Sequence, residues 1–315
     1  MRASHVTRSS AKRLRIVTWR RYAAPVLIVF NPAAGAGRQR RLSRALGALR
    51  ARGLAPQVAE TRGPGDAAVL ARSAAARGVP LVVAAGGDGT IAEVAAGLAG
   101  SAAALGVLPL GTANVLAWEL GLPQAPDRAA AVIAAGRIAT LRPGLARFAD
   151  GSERLFVQML GAGFDAAVVA RLDLGLKRRI GRAAYVLESL RQMARYDFPP
   201  IAVTFDGVTT TAASAIVTKG RLYAGRYRIA PDARAAEPGF RLVLFRRSGA
   251  LQAALAGAAL PLGLIPRLPG VEIMPARRIR LAAAGAVPVQ ADGDPAGLLP
   301  VEVTDAPSPL GIVVP

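Results

Sequence analysis

Two rhythms of apolar and polar positions run along this chain, and the change between them falls near Ile138. Before it, short unbroken apolar runs take turns with stretches of helical spacing. Val26–Phe30 predicts a buried strand, followed by a turn-rich loop, Asn31-Pro32-Ala33-Ala34-Gly35-Ala36-Gly37, and a helix over Gln39–Arg52. Pro56–Thr61 predicts a second strand, Asp66–Arg77 a second helix and Leu81–Ala85 a third strand. Gly86-Gly87-Asp88-Gly89-Thr90 then turns the chain into another helix. Ala104–Leu108 predicts a fourth strand, Pro109-Leu110-Gly111-Thr112-Ala113-Asn114 its exit loop, and Val115–Leu120 a short helix. Repeated βα units predict an α/β domain, a parallel Rossmann-like sheet covered by helices with ligands at the C-terminal ends of its strands. Every glycine-rich loop named here lies at that edge.

After Ile138 the runs become short and alternating: Ile138–Phe148, Arg154–Gln158, Ile201–Phe205, Ala213–Thr218, Phe240–Phe245, Arg278–Leu281, Val287–Ala291 and Val301–Val303. Turns such as Ala149-Asp150-Gly151 and Asp206-Gly207 separate them, which predicts an antiparallel β-rich domain. One helical insertion is expected at about Ile180–Tyr196. The resulting division is a basic tail over 1–22, expected to be disordered, an α/β domain over 23–137 and a β-rich domain over 138–303, with about 304–315 free to return to the first. Ala250–Ile265 is the longest apolar stretch, but Pro261 interrupts it and Pro266 flanks it. It is too short and too broken for a membrane span. Core packing is the default for such a run, and a lipid-facing helix and loop beside a pocket is the alternative.

Composition narrows the chemistry. The 315 residues are 52% hydrophobic, enough for a large core and two domains. Cysteine is absent, which excludes disulfides and thiolate chemistry. The single histidine is His5, in the basic tail, so a general base must be a carboxylate. The formal charge of +20 favours anionic partners such as nucleotides, nucleic acid or an acidic membrane surface. Part of it reflects a compositional habit that also enriches Ala, Gly and Pro. Aromatic residues are only 5% and no basic stripe is interleaved with stacking rings, which argues against specific nucleic-acid binding. Met1–Tyr22 has no apolar core of signal-peptide length, so a cytoplasmic location is expected.

Gly86–Thr90 carries the most chemistry. Its three glycines let the backbone approach a ligand closely, and the free N–H groups of the next helix attract anions. A phosphate is the natural guest. Asp88 would repel a phosphate unless a metal ion or a transferable proton lay between them, which points to phosphoryl transfer. The same residues are also compatible with a tight strand-to-helix turn capped by an aspartate.

Taken together and in order, these motifs resemble the catalytic domain of the diacylglycerol kinase and sphingosine kinase superfamily, in its bacterial soluble lipid kinase branch. The matching residues are Val29-Phe30-Asn31-Pro32 with Gly35 and Gly37, Gly86–Thr90, Pro109–Asn114, Gly161-Ala162-Gly163-Phe164-Asp165-Ala166, Lys177-Arg178-Arg179 with Gly181, Ala184-Tyr185, Ala230-Pro231-Asp232-Ala233 and Gln290-Ala291-Asp292-Gly293-Asp294. The resemblance implies a nucleotide-binding α/β domain like those of NAD kinase and diacylglycerol kinase, a β-sandwich lipid domain, and ATP with Mg2+ in the cleft between them. It implies that Gly86, Gly87, Asp88, Gly89 and Thr90 wrap the phosphates, with Asn31, Pro32, Thr61, Glu93, Gly111, Thr112 and Asn114 completing the nucleotide site. The family's terminal Asp-Gly-Glu supplies the proton acceptor for the lipid hydroxyl. Here it reads Asp292-Gly293-Asp294, which makes Asp294 the acceptor and Asp292 its alternative. Asp88 would arrange Mg2+–ATP or act on the hydroxyl proton.

Three positions depart from the family. Ala92 stands where Asn usually precedes Glu, and Val115 where Asp follows Gly-Thr-x-Asn. Glu237-Pro238-Gly239 stands where bacterial relatives carry Asp-Asp-Gly, whose second Asp joins a structural Mg2+ site. Pro238 has no ligand atom, so that site is expected to be absent or rebuilt around Glu237. The implied partners are a lipid alcohol and the anionic inner membrane surface, met peripherally, with the oligomeric state open and a homodimer one option. Rival readings are an NAD kinase-type phosphotransferase, a catalytically silent nucleotide- or lipid-binding protein, and a basic protein docking on nucleic acid.

Overall fold

A computed structural model describes residues 17–18, 25–32, 37–173, 175–176, 180–181 and 183–315. In the first half, β1 (Val17–Thr18), β2 (Val26–Phe30), β3 (Gln57–Glu60), β4 (Leu81–Gly86), β5 (Ala104–Pro109) and β6 (Arg137–Leu141) alternate with helices. These are α1 (Arg38–Arg50), α2 (Asp66–Ala76), α3 (Asp88–Leu98), α4 (Val115–Glu119) and α5 (Pro126–Ala135). β2, β4 and β5 are buried at every position, as parallel strands covered on both faces must be. Helix α1 turns Leu42, Ala45 and Leu49 inward, a spacing of three and four that lays one stripe on the sheet.

The second half adds β7 (Gly144–Phe148), β8 (Glu153–Phe156), β9 (Met159–Ala162), α6 (Phe164–Ala170), α7 (Ala183–Met193), β10 (Ile201–Phe205), β11 (Val208–Ala212) and β12 (Ser214–Thr218). It continues with β13 (Leu222–Tyr223), β14 (Tyr227–Arg228), β15 (Phe240–Phe245), α8 (Ala250–Ala259), β16 (Val271–Ala276), β17 (Ile279–Ala282), β18 (Pro288–Ala291), β19 (Asp294–Leu298) and β20 (Val301–Asp305). Two antiparallel six-stranded sheets result, in the orders β11-β10-β17-β20-β7-β8 and β16-β15-β12-β9-β18-β19. One apolar cluster joins them, with Phe148, Phe156, Ile201 and Val301 from the first and Leu160, Val217, Leu242 and Val289 from the second. This is the expected β-sandwich.

The last strand, β21 (Leu310–Val313), returns to the first sheet, whose order is β1-β6-β21-β5-β4-β2-β3. β21 runs parallel to β5 and antiparallel to β6. The chain therefore crosses between domains twice, and the crossings touch where the Ala306 amide donates to the Pro143 carbonyl at 2.9 Å.

Several expectations change. The run read as Ile138–Phe148 is two strands in different sheets, β6 and β7, because Pro143 breaks the ladder between them. β16 and β19 went unread because Pro275, Pro295 and Gly297 interrupt their patterns; both are edge strands, where proline is tolerated. Helices α5 and α6 were also unread. Of the basic tail, the structure describes only Val17–Thr18, a short strand paired with Arg137 and Ile138. Ala33–Ala36 of the first loop and Lys177–Arg179 lie outside the described residues.

Candidate active site

Because β3 lies on one side of β2 and β4 on the other, the parallel sheet reverses its winding between β2 and β4, and a crevice opens at their C-terminal ends. Asn31 leaves β2 there, Gly86–Thr90 leaves β4, and Leu110–Asn114 leaves β5. The Asn31 amide donates to the Ala85 carbonyl at 3.2 Å, and its Nδ2 donates to Thr90 Oγ1 at 3.2 Å. Thr90 is buried, its side chain folded back over the space a Cβ on Gly86 would need. Gly87 and Gly111 meet backbone to backbone: a Cβ on Gly111 would overlap the Gly87 Cα. The two glycine loops thus meet closely through their backbones.

Asp88 does not face outward from those loops. Its Oδ2 accepts from the Asn114 amide at 2.9 Å and its Oδ1 from the Val115 amide at 2.6 Å. It holds the first turn of α4, whose approach needs Asn114 in the left-handed region at φ 49°. Burial raises its pKa, and the amides oppose that rise. Val115, where the family has an acid, instead buries its side chain among Met159, Ile216 and Ile229 between the domains.

The terminal motif arrives from β18 and β19. Asp292, at φ 50°, is buried and accepts the amides of Val157, Gln158 and Met159 at 2.7, 2.8 and 2.9 Å. Burial pushes its pKa up to about 6; the three amides pull it down and the nearby Asp88 charge adds to the rise. Asp292 is thus the bolt that closes the β18–β19 turn onto the β8–β9 segment. Asp294, two residues on, sets its carboxylate against Gly89 at the start of α3. A buried network steadies this turn: the Gly293 amide donates to Gln290 Oε1 at 2.8 Å, Gln290 Nε2 donates to Asp165 Oδ2 at 2.8 Å, and the Tyr223 hydroxyl donates to Asp165 Oδ1. Burial raises the Asp165 pKa, which the bonds from Tyr223 and Gln290 oppose.

The structure therefore brings Asn31, Gly86–Thr90, Gly111–Asn114, Asp292 and Asp294 together. Several expected residues already hold protein partners or face solvent. Glu93 accepts the Gly65 amide at 2.9 Å and the Ala67 amide at 3.1 Å, so its carboxylate caps α2. Thr61 follows β3, its amide bonded to the Phe30 carbonyl at 2.8 Å, and Pro32 is exposed. Thr112 is exposed beside Gly181. Glu237 is exposed; its amide donates to the Arg234 carbonyl at 3.0 Å and its own carbonyl accepts from the Lys219 ammonium at 3.0 Å.

One group that the sequence did not single out bears on the site. Arg38 opens α1; it is buried, and its Nη1 has no partner among the described residues. Burial and the neighbouring Arg41 lower its pKa to about 10. Arg41 in turn donates to the carbonyls of Pro109 at 2.8 Å and Gln124 at 3.0 Å, tying α1 to the third loop. Asn114, an expected nucleotide residue, gives its Nδ2 to Gly111 and Gln124, while its buried Oδ1 has no partner among the described residues. Among 40 cationic residues nothing in the pattern distinguished Arg38.

Two glycine loops meeting backbone to backbone, the N-terminus of α3 and a guanidinium nitrogen with no partner among the described residues fit a polyphosphate. Among the described residues no group of three or more His, Cys, Asp or Glu could hold a metal. A Mg2+ ion here would therefore draw most of its oxygen ligands from phosphates and water.

Residues 25–146 match the family model of the diacylglycerol kinase catalytic domain, and residues 158–314 that of the YegS C-terminal NAD kinase beta sandwich-like domain. A "Probable lipid kinase YegS-like" of Xanthomonas euvesicatoria pv. vesicatoria is 41% identical over 172 residues, 53% of this chain and 55% of the relative. Another, of Citrobacter koseri, is 37% identical over 153 residues, 47% of this chain and 50% of the relative. The chain spans about half the length of the curated relatives it matches. A crystal structure of a diacylglycerol kinase from Bacillus anthracis str. Sterne superposes with a TM-score of 0.69 at 19% identity, over 94% of this chain and 98% of that one. At that identity the likeness shows the fold alone.

Proposed function

The chain belongs to the diacylglycerol kinase catalytic-domain family, with a YegS-type C-terminal domain, and from that premise we propose that it is an ATP-dependent lipid kinase. It would transfer the γ-phosphate of ATP to the hydroxyl of a lipid such as diacylglycerol. The observation that carries this reading is the meeting of Asp294, from the β-rich domain, with Gly89 in the glycine loop of the α/β domain. A carboxylate set against a phosphate-binding loop is where a base must stand to take a hydroxyl proton during transfer.

In this reading the amides of Gly87–Thr90 and Gly111–Thr112 hold the phosphates, and the Arg38 guanidinium supplies a cation without crossing solvent. When bound, Mg2+ would neutralise the charge on the phosphate oxygens. Asp294 accepts the hydroxyl proton. Asp88 and Asp292 act as positioning residues, the first through the start of α4 and the second through the β18–β19 turn.

The partner surface follows from α7, whose polarity is reversed. Its buried positions are Ala184, Glu188 and Gln192, with Gln192 Nε2 donating to Glu188 Oε1 at 2.6 Å. Val186 and Leu190 are instead 62% and 59% exposed. Beside it, α8 exposes Leu251 and Leu255, and the following loop exposes Leu262 at 71%. No acid occurs between Arg246 and Gly270, while Arg191, Arg195, Arg247 and Arg267 accompany these leucines in sequence. An apolar face with a cationic fringe suits an anionic bilayer. Among the described residues no helix is long and apolar enough to cross a membrane, so the contact would be peripheral.

The test is transfer of labelled γ-phosphate from Mg2+–ATP into a panel of lipid alcohols in mixed micelles, with Asp294→Asn run alongside. Labelled lipid that disappears in the variant supports the reading and names the acceptor. Transfer to NAD in its place would overturn it.

A further inference from the structure

We propose that the Glu237-Pro238-Gly239 loop, which stands where the resembling bacterial kinases carry a metal-binding Asp-Asp-Gly, is held in this chain by the ammonium of Lys219, so that the junction between the domains is fastened without a metal. Lys219 directly follows β12 and its side chain is fully buried. Its Nζ donates to the carbonyls of Glu237 at 3.0 Å and Gly239 at 2.7 Å and to Asp305 Oδ1 at 2.7 Å. An ammonium has three donors, and each has an oxygen. The Phe240 ring lies 4.7 Å from the nitrogen, adding a cation–π contact on another side.

The residues do not fit a metal. Pro238 brings no ligand, the Glu237 carboxylate is exposed, and the Glu237 and Gly239 carbonyl oxygens already accept from the Lys219 ammonium. Mg2+ needs oxygens at about 2.1 Å in a near-octahedral shell, and three oxygens around an ammonium cannot supply that. The residue type agrees: only three of the 40 cationic residues are lysine, Lys12, Lys177 and Lys219. A compact ammonium can enter a three-oxygen cage that a planar guanidinium cannot.

The location gives the cage its purpose. Asp305 ends β20, and its other oxygen, Oδ2, accepts the Gly239 amide at 2.7 Å. One residue later the Ala306 amide bonds the Pro143 carbonyl, and the Arg142 amide bonds the Ala235 carbonyl at 2.8 Å. Lys219 therefore ties the loop before β15 to both crossings of the chain between domains. This is a positioning device, and its readout is stability, independent of kinase activity.

The experiment uses nucleotide-free, full-length protein. Elemental analysis is expected to find well under one divalent metal per chain, with the same melting temperature in EDTA, Mg2+ or Ca2+. Lys219→Met, which keeps the stem and removes the charge, is expected to melt about 5–10 °C lower, and adding Asp305→Asn to it should cost little more because the pair acts as a unit. Stoichiometric metal whose removal lowers the melting temperature would overturn the proposal, as would a Lys219→Met protein as stable as the parent. If Lys219→Met does not fold, the metal content and EDTA comparison on the parent protein decide the matter alone.

Discussion

Asp294, the first residue of β19, lies so close to Gly89 of α3 that a methyl group on the glycine would overlap its Oδ2. The two residues are 205 positions apart in the sequence and on different domains, so this contact is where the domains share chemistry. Gly89→Ala should displace the carboxylate while leaving the helix intact, since Gly89 is not among the glycines of positive φ. Displacing a reacting group by about 1 Å costs on the order of 100-fold in rate. Lipid phosphorylation is therefore expected to fall by about that factor, with ATP affinity, read by calorimetric titration, within about threefold of the parent. Unchanged turnover would remove Asp294 from the role of proton acceptor.

Arg38 should act on the nucleotide alone. Its Nη1 is buried without a partner among the described residues, and a charge-assisted bond to a phosphate is worth about 1.5–3 kcal/mol. Arg38→Met is expected to weaken ATP binding about tenfold or more while AMP binding changes little, because the effect requires the terminal phosphates. Equal losses for the two nucleotides would show that Arg38 serves packing alone.

Glu93 separates a ligand role from a structural one. Its two oxygens hold the Gly65 and Ala67 amides, so Glu93→Ala should cost about 1 kcal/mol of stability, the worth of a lost helix cap. The Michaelis constant for ATP is expected to stay within about twofold. Urea unfolding together with initial-rate kinetics checks both, and a large rise in that constant with no loss of stability would return Glu93 to the nucleotide site.

The distance between these roles and the sequence pattern has physical reasons. The βα rhythm and the glycine loops were legible because apolar runs and clustered glycines leave local marks: Val26–Phe30 and Leu81–Gly86 are buried strands, as their composition demands. What a carboxylate bonds to is not local. Asp88 and Asp292 both end on amides from remote segments, Asn114 and Val115 for the one and Val157–Met159 for the other. No spacing rule connects those positions. Lys219 was hidden for the same reason, since its three oxygens come from residues 18, 20 and 86 positions away. The reversed polarity of α7 was illegible because a helical pattern reveals an apolar stripe without saying which way it faces.

Asp292 gives the protein a pH dependence with a definite sign. Its pKa in the fold is about 6, above the roughly 3.9 of a free aspartate. A raised carboxyl binds more protons folded than unfolded, so its favourable contribution is complete below about pH 4 and is lost as pH rises through about 6. Stability from this group should fall by on the order of 1–3 kcal/mol across that window. Urea midpoints measured from pH 4 to 7 in the parent and in Asp292→Asn are expected to differ in slope there and to run parallel above it. Parallel curves throughout would mean that the three amides outweigh burial and hold the carboxyl at its ordinary value.

The reversed helix predicts how the protein finds its substrate. Leu190 on α7 and Leu251 and Leu255 on α8 are exposed, so replacing all three by serine removes apolar surface that the fold does not use and should change the melting temperature little. If that surface enters a bilayer, each leucine contributes roughly 1 kcal/mol or more on insertion, and the triple variant should bind anionic vesicles at least tenfold more weakly. Binding of the parent should also weaken with added salt, because the arginine fringe acts through screened charge. Vesicles of neutral lipid are expected to retain the parent poorly. Phosphorylation of a short-chain, water-soluble acceptor should be unaffected by the substitutions, since none of the three touches the residues gathered around Gly89. Undiminished vesicle binding by the triple variant, joined to a shift from dimer to monomer in sedimentation, would assign the face to a second copy of the chain instead of a membrane.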